Sequence, residues 1–355
     1  MRICIAGCGL IAEIHAKAIA EIEDATLVGV SARNGERVLA FAAKHGCTGY
    51  TDLIEMLEGE QPDVLCVATP SGTHSEIGIA AAQRGIHVLA EKPIDVTLER
   101  AMALVSACSE NNVYLGGVFQ QRTQPALAGL HAAIAAGDFG RSVLINASVP
   151  WWRPDDYYAG SSWRGTLALD GGGALINQAI HAVDLVQWLA QAATGCERAI
   201  SEVHCMSARI AHPNIEVEDA AVVTMRMTDG SIAQLTATTA MWPGRAVRYN
   251  VGGHDGSALI EDGQVIAWHS RSGRPEPVST AAATGGGSNP GGIPVSAHRR
   301  AITDFITAIR NHQPCAVDGI ECCKSLEIIE AAYRSARTGQ PVILGDSPFA
   351  LSRTG

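Results

Sequence analysis

Glu91-Lys92-Pro93 directly follows the apolar run His87-Val88-Leu89-Ala90, so its lysine emerges at the carboxyl edge of a strand, where open parallel sheets hold their ligands. An ammonium group there, partly out of water, can polarise a carbonyl or stabilise an alkoxide. From the tripeptide alone, a lysine opening an exposed loop explains the pattern equally well. A second stretch, Gly171-Gly172-Gly173-Ala174-Leu175-Ile176-Asn177-Gln178-Ala179-Ile180-His181-Ala182-Val183-Asp184, carries proton chemistry. Drawn as a helix, it sets Asn177, His181, Asp184 and Trp188 at i, i+4, i+7 and i+11, on one face. Polar groups on such a face must be paired or open into a cavity, and a histidine among them can pass a proton near neutral pH. A histidine satisfied within the core is the plainer alternative. No metal centre is expected, because H-x-x-x-H spacing is missing and asparagine is a poor transition-metal ligand.

Just upstream lie Trp151, Trp152, Arg153, Tyr157, Tyr158, Trp163 and Arg164, a dense aromatic group in a chain only 5% aromatic. Aromatic rings stack on the apolar faces of sugar rings, and arginines bond hydroxyl or acidic groups. A packed satellite core or a dimer contact are the alternatives. Trp163 and Arg164 are the leading substrate candidates of the group.

These groups need a partner to act with, and the N-terminus supplies one. A short apolar run through Ile3-Cys4-Ile5-Ala6 leads into Gly7-Cys8-Gly9-Leu10-Ile11-Ala12, the spacing G-x-G-x-x-G/A that opens a dinucleotide site between a strand and a helix. Gly7 allows the tight turn, Gly9 lets a pyrophosphate approach the backbone, and the helix expected over 13–20, reached through Leu10 and Ile11, has free N–H groups and a dipole that favour an anion. The second strand ends Ser31-Ala32-Arg33-Asn34, without the carboxylate that would bond a ribose 2′-hydroxyl. Ser31 can donate a hydrogen bond and the Arg33 guanidinium suits a phosphate, so NADP(H) is favoured over NAD(H). An ordinary surface arginine is the competing explanation.

The elements that must hold these residues follow from the pattern. Apolar runs at 26–32, 64–68, 87–90 and 113–118, alternating with helical stretches at 35–44, 75–84 and 97–110, predict a doubly wound parallel sheet, an α/β Rossmann domain over residues 1–122. Residues 123–355 read as an α+β domain. Strands at 143–149, 220–227, 232–239 and 248–251 predict a largely antiparallel open sheet. One helix is expected over 173–190, and two more at 298–311 and 320–338. The Gly/Ser/Pro/Ala-rich stretch 270–294 reads as a long loop and a candidate site lid.

A chain of 355 residues can bury two cores. Its formal charge of −10 argues against a nucleic-acid partner. No apolar stretch reaches the roughly 18 residues of a membrane span, and the N-terminus reads as a strand and not a signal peptide. A soluble cytoplasmic protein is expected. Its ten cysteines include no C-x-x-C pair, and Cys4, Cys66 and Cys108 read as small buried hydrophobes, so reduced thiols are expected.

Over nearly its whole length the chain resembles the glucose–fructose oxidoreductase / inositol dehydrogenase / rhizopine-catabolism (Gfo/Idh/MocA) family. The resemblance is carried by the glycine turn, Ala68-Thr69-Pro70-Ser71-Gly72-Thr73-His74, Glu91-Lys92-Pro93, Trp163-Arg164-Gly165, the triple glycine and His181-x-x-Asp184. It implies a nicotinamide near Thr69, Pro70, His74, Glu91 and Lys92. It also implies that Lys92 fixes a substrate oxygen and His181 acts as general acid/base, with Asn177 and Asp184 at the substrate. Position 177 is usually aspartate in the family's sugar dehydrogenases. Asn177 can hydrogen-bond a sugar or orient the imidazole but cannot accept a proton. The implied substrate is a sugar, cyclitol or sugar derivative, and the implied assembly a homodimer or homotetramer built on the open sheet face. Two other readings accompany the resemblance: a redox-assisted glycoside hydrolase using tightly held NAD, and a nucleotide-sensing regulator without catalysis, which would be expected to lose the lysine–histidine pair.

Overall fold

The computed structural model of the protein describes residues 1–279 and 294–345. They divide into two units, 1–120 with 295–323 and 121–294 with 324–355. The first holds a six-stranded sheet of β1 (Arg2–Ala6), β2 (Thr26–Ser31), β3 (Thr48–Tyr50), β4 (Val64–Val67), β5 (His87–Ala90) and β6 (Leu115–Gly117). The spatial order is β3-β2-β1-β4-β5-β6, and all pairs are parallel. Helical crossovers make this arrangement possible: α1 (Leu10–Ala20), α2 (Gly35–His45), α3 (Leu53–Glu60), α4 (His74–Ala82) and α5 (Leu98–Glu110). Three of them start on side-chain caps, in which Asn34, Asp52 and Thr97 accept from the backbone N–H of Arg37, Glu55 and Arg100. Strand β4 is buried throughout, as its unbroken apolar run requires of a strand covered on both faces.

The second unit holds α6 (Pro125–Ala135), β7 (Ser142–Pro150), α7 (Asp155–Ala159), α8 (Ile180–Thr194), β8 (Ile200–Ala208), β9 (Ala220–Met227), β10 (Ile232–Thr238), β11 (Arg248–Gly253), β12 (Gly256–Glu261), β13 (Gln264–Ser270) and the short β14 (Val342–Ile343). Its eight-stranded sheet runs β13-β12-β11-β7-β10-β9-β8-β14. The β7–β10 pair is parallel and the other pairs are antiparallel. Alternate residues such as Ala221, Val223, Met225, Ala233, Leu235 and Ala237 are buried, the period-2 pattern of a sheet with one covered face.

Two expectations change. The helix expected over 173–190 is two pieces. A π turn, Ala174–Gln178, closed by Ala179 N–H donating to the Ala174 carbonyl at 2.9 Å, precedes α8. A π turn holds more residues than an α turn, so Asn177 leaves the line that His181, Asp184 and Trp188 keep. The second change concerns the boundary drawn at 122/123, because the remainder is not one piece. Helix Val295–Asn311 places Ile302, Phe305, Ile306 and Ile309 in one core with Ile3, Ile5, Val64 and Leu89 of the first unit. An amphipathic helix buries its apolar stripe where a matching surface exists, whatever its sequence distance. The expected long loop starts one residue late, after β13 ends at Ser270; it holds no helix or strand over its described residues 271–279, and its residues 280–293, including the triple glycine 285–287, lie outside the described residues. Among the described residues no helix is long and apolar enough to cross a membrane.

Candidate active site

In the first unit the glycine turn is closed by Gly7 N–H donating to the Ser31 carbonyl at 2.8 Å. Gly7 has φ +111, and a Cβ on it would lie 2.4 Å from the Ala68 oxygen, so only glycine fits. Gly9 caps α1 without a side-chain partner, and a Cβ built there meets nothing within 4 Å. Helix geometry leaves the N–H groups of Leu10, Ile11 and Ala12 without an intrahelical acceptor. Open space, orphan donors and a positive helix end suit a pyrophosphate. Glu13 in the same first turn is no obstacle. Burial works against its charge, but hydrogen bonds from Lys44 at 2.7 Å and His45 at 3.0 Å outweigh it and hold its carboxyl below the ordinary value. At the end of β2, Ser31 is buried, Arg33 and Arg37 are exposed, and Asn34 is committed to capping α2.

Two of the residues expected at the cofactor are hydrogen-bonded within the protein. His74 is buried, and its Nδ1 and Nε2 lie 2.8 Å from the Pro93 carbonyl and 2.9 Å from the Thr69 carbonyl. It therefore ties the loop after β4 to the loop after β5. Thr69 shares a 2.8 Å hydrogen bond with Thr73, whose hydroxyl donates to the Pro70 carbonyl, so this loop is fixed before any ligand arrives. Glu91 is also turned inward. Its Oε1 lies 2.7 Å from His15 Nε2 and 3.3 Å from His298 Nε2, and its Oε2 accepts from the Lys92 backbone N–H at 3.2 Å. Burial opposes its charge, yet the two imidazoles hold its carboxyl well below the ordinary range. The half-buried Lys92 thus starts from an anchored backbone.

His15, Glu91 and His298 are also the one group among the described residues whose ligand atoms come close enough together to hold a metal. Ligands on a shared zinc, each about 2.0–2.2 Å from it, sit roughly 3.3 Å apart in a tetrahedron. The 2.7 Å His15–Glu91 separation fits a shared proton better. All ten cysteines are free thiols, and burial pushes Cys4 and Cys108 up to about 12, which leaves them inert.

The stretch of the second unit expected to carry proton chemistry is built on contacts the sequence did not announce. Asn177 donates to Asp170 Oδ1 at 2.5 Å, while Asp170 Oδ2 accepts from the Gly165 N–H at 2.8 Å. His181 is buried in the first turn of α8. Asp184, expected at the substrate, forms a bidentate pair with Arg122, at 2.8 Å to Nε and 2.5 Å to Nη2. The same guanidinium lies 5.3 Å from the Trp188 ring, which stacks on His131 at 3.8 Å. Asp184 and Trp188 therefore fasten α8 to residues 122–131. The triple glycine is explained by Glu218. A Cβ on Gly173 would fall 1.7 Å from the Glu218 carbonyl oxygen, and the Glu218 carboxylate accepts from the N–H groups of Gly173 and Leu175 and from the Tyr333 hydroxyl. Burial, the leading influence, raises the Glu218 carboxyl above its ordinary value despite those bonds. Trp163 and Arg164 stand together with Tyr157, the Arg164 guanidinium 4.4 Å from the Tyr157 ring and 5.4 Å from that of Trp163. Asp170 directly precedes the triple glycine and could have been found from it, whereas Glu218, 45 residues from Gly173, carried no local signal. Arg122 carried no such signal.

Comparison with known proteins bears on both units. Residues 1–118 match the family described as "Oxidoreductase family, NAD-binding Rossmann fold", and residues 128–259 match the GFO/IDH/MocA C-terminal domain. The chain is 28% identical to the rhizopine catabolism protein MocA of Rhizobium meliloti, covering 93% of each chain. It is 25% identical to the D-apiose dehydrogenase of Paraburkholderia graminis, across 95% of this chain and 88% of that one. The crystal structure of the WlbA dehydrogenase from Bordetella pertussis, in complex with NADH and UDP-GlcNAcA, superposes with a TM-score of 0.85 at 31% identity, over 97% of this chain and 98% of that one. Family matches in both units, and a solved relative this similar from end to end, place the chain in the Gfo/Idh/MocA oxidoreductase family.

Proposed function

We propose that the protein is an NAD(P)-dependent oxidoreductase that moves a hydride between the nicotinamide and a carbinol or carbonyl carbon of a sugar, cyclitol or sugar derivative. The observation that carries the reading is Lys92, which leaves strand β5 from a backbone anchored by the charged, buried Glu91. Relatives named inositol 2-dehydrogenase and D-apiose dehydrogenase support the substrate class. A nicotinamide dinucleotide, which Gly7, Gly9 and the N-terminus of α1 would hold by its pyrophosphate, would supply the hydride acceptor or donor. The Lys92 ammonium holds the substrate oxygen and favours its anionic form. His181 takes the hydroxyl proton during oxidation and gives it back during reduction. Asn177, oriented by Asp170, offers a hydrogen bond to a sugar hydroxyl and moves no proton.

NADP(H) is preferred, because the end of β2 presents Ser31 and the exposed Arg33 and no carboxylate. The enzyme works in the cytoplasm as a homodimer or homotetramer. The uncovered face of the large sheet supports self-association, since Met206, Val222 and Ile232 are exposed there. A panel of sugars, cyclitols and nucleotide-sugar acids, offered with NADP⁺ and NAD⁺ and followed by reduced-nicotinamide absorbance, tests this reading. Turnover is expected, with kcat/KM roughly tenfold higher for NADP⁺, equivalent to about 1.4 kcal/mol. In Lys92→Met, kcat should fall about 10²–10³-fold while the cofactor Kd stays within about twofold. Absence of turnover across the panel, or a fully active Lys92→Met, would refute the reading.

A further inference from the structure

Two buried histidines from distant parts of the chain meet the residue beside Lys92. His15, on α1, and His298, on helix Val295–Asn311, are 0% and 1% exposed. Their rings pack edge to face with centroids 5.4 Å apart. Each turns Nε2 to the same atom, Glu91 Oε1, at 2.7 Å and 3.3 Å, and in each Nδ1 has no hydrogen-bond partner. The ring proton is therefore best placed on Nε2, as a donor to the carboxylate. The other carboxylate oxygen has a separate duty, since Oε2 accepts from the Lys92 backbone N–H at 3.2 Å. The Glu91 N–H donates to the Val67 carbonyl at 2.9 Å, which ties it to the end of β4. On the far side of Lys92, His74 holds the Pro93 carbonyl at 2.8 Å.

Well-packed apolar side chains would join α1, β5 and the long helix without the cost of burying a carboxylate. What the ionised group adds is direction, because a hydrogen bond fixes an angle that apolar packing leaves loose. Burial works against the Glu91 charge, and the two imidazoles outweigh it. A third titratable neighbour, Cys66 of β4, adds no charge, since burial, and after it the Glu91 carboxylate, push its thiol up.

We propose that His15 and His298 are positioning residues for hydride transfer: they hold the Glu91 carboxylate in the orientation from which it fixes the Lys92 backbone, and so place the ammonium at the substrate oxygen. Because His15 belongs to the helix whose N-terminus would hold the pyrophosphate, the same clamp sets Lys92 relative to the cofactor. The proposal rests on the oxidoreductase function and adds two residues to its machinery.

The full-length protein has four lysines, Lys17, Lys44, Lys92 and Lys324, so ¹⁵N-lysine labelling gives four backbone amide signals. Lys92→Arg identifies the one that belongs to Lys92. In the wild type this amide should exchange into D₂O at least about 10²-fold more slowly than an unstructured lysine amide. In His15→Leu and His298→Leu its protection should fall about tenfold or more, while the Lys44 amide in α2 keeps its own. His15→Gln, which returns an N–H donor, should recover part of it. On any substrate the sugar panel yields, kcat in the leucine variants should fall about ten- to a hundredfold, with KM and the cofactor Kd within about twofold. The acid limb of kcat should move to higher pH, because a carboxylate that loses an imidazole is protonated more readily. Lost packing alone would not shift that limb. Fast exchange of the Lys92 amide in the wild type overturns the proposal, and that result needs no variant to fold. Unchanged Lys92 protection, or an unchanged kcat and acid limb, in a folded His15→Leu overturns it too. Lost protection without turnover of any sugar would sink the oxidoreductase reading and leave the clamp standing. Turnover with a Lys92 amide indifferent to both histidines would sink the clamp alone.

Discussion

Glu91 is charged where burial disfavours charge, and its hydrogen-bonded imidazoles explain why. Because its folded carboxyl lies below the ordinary 4.5, the unfolded chain takes up the proton first as the solution is acidified. The stability it contributes is complete above that value and is lost as pH falls from there through the folded value. Urea midpoints measured from neutral pH downward should therefore fall more steeply below about 4.5 in the wild type than in Glu91→Gln. The variant should already be less stable at neutral pH. Equal slopes would show that Glu91 is not held ionised. The sequence made Lys92 visible through its place after an apolar run, whereas the inward turn of its neighbour was hidden. His15 and His298 lie 76 and 207 residues from Glu91, and no local pattern links them.

At the scale of elements, α8 is fastened more firmly than its own hydrogen bonds require. Arg122 and Asp184 are both nearly inaccessible, at 8% and 2% exposure, so deleting one removes a bidentate, largely desolvated pairing from the other. Asp184→Ala should destabilise the protein by about 3–5 kcal/mol, measured by denaturant unfolding. A loss under about 1 kcal/mol would mean that the pair is solvated like a surface bridge. The same segment shows what periodicity could and could not convey. His181, Asp184 and Trp188 share a face as their spacing implies, but the π turn before them adds a residue that hydropathy does not register. Strand β3 and helix α3 escaped for a different reason, being three and eight residues long and weakly patterned. The β12–β13 hairpin escaped too, although Asp262 and Gly263, both at positive φ, carry the Asp-Gly signal of a tight turn.

For the whole molecule, the main departure from a linear reading is helix Val295–Asn311. Its Phe305 is 1% exposed in the core of the first unit, and a Cβ on Gly116 would press within 2.6 Å of that ring. Residues 1–122 expressed alone should therefore lack a sigmoidal thermal transition and expose apolar surface to a hydrophobic dye. Joining residues 295–323 to them through a flexible linker should restore a cooperative melt. A stable isolated 1–122 would show that the helix is only an accessory. The parallel sheet and the class of the second sheet were legible because each strand announces its own burial. The return of the chain was not, because an amphipathic helix advertises that it needs a partner and does not say which.

That return has a consequence for the order of events at the ribosome. Translation runs from the N-terminus at about 5–20 residues per second, so the nucleotide-binding unit is begun first and lacks part of its core until residue 311 has emerged. The strands of the large sheet from β7 to β13 are by then already available to pair. The unit made first is thus completed late, and for that interval its apolar surface is a natural client for a chaperone.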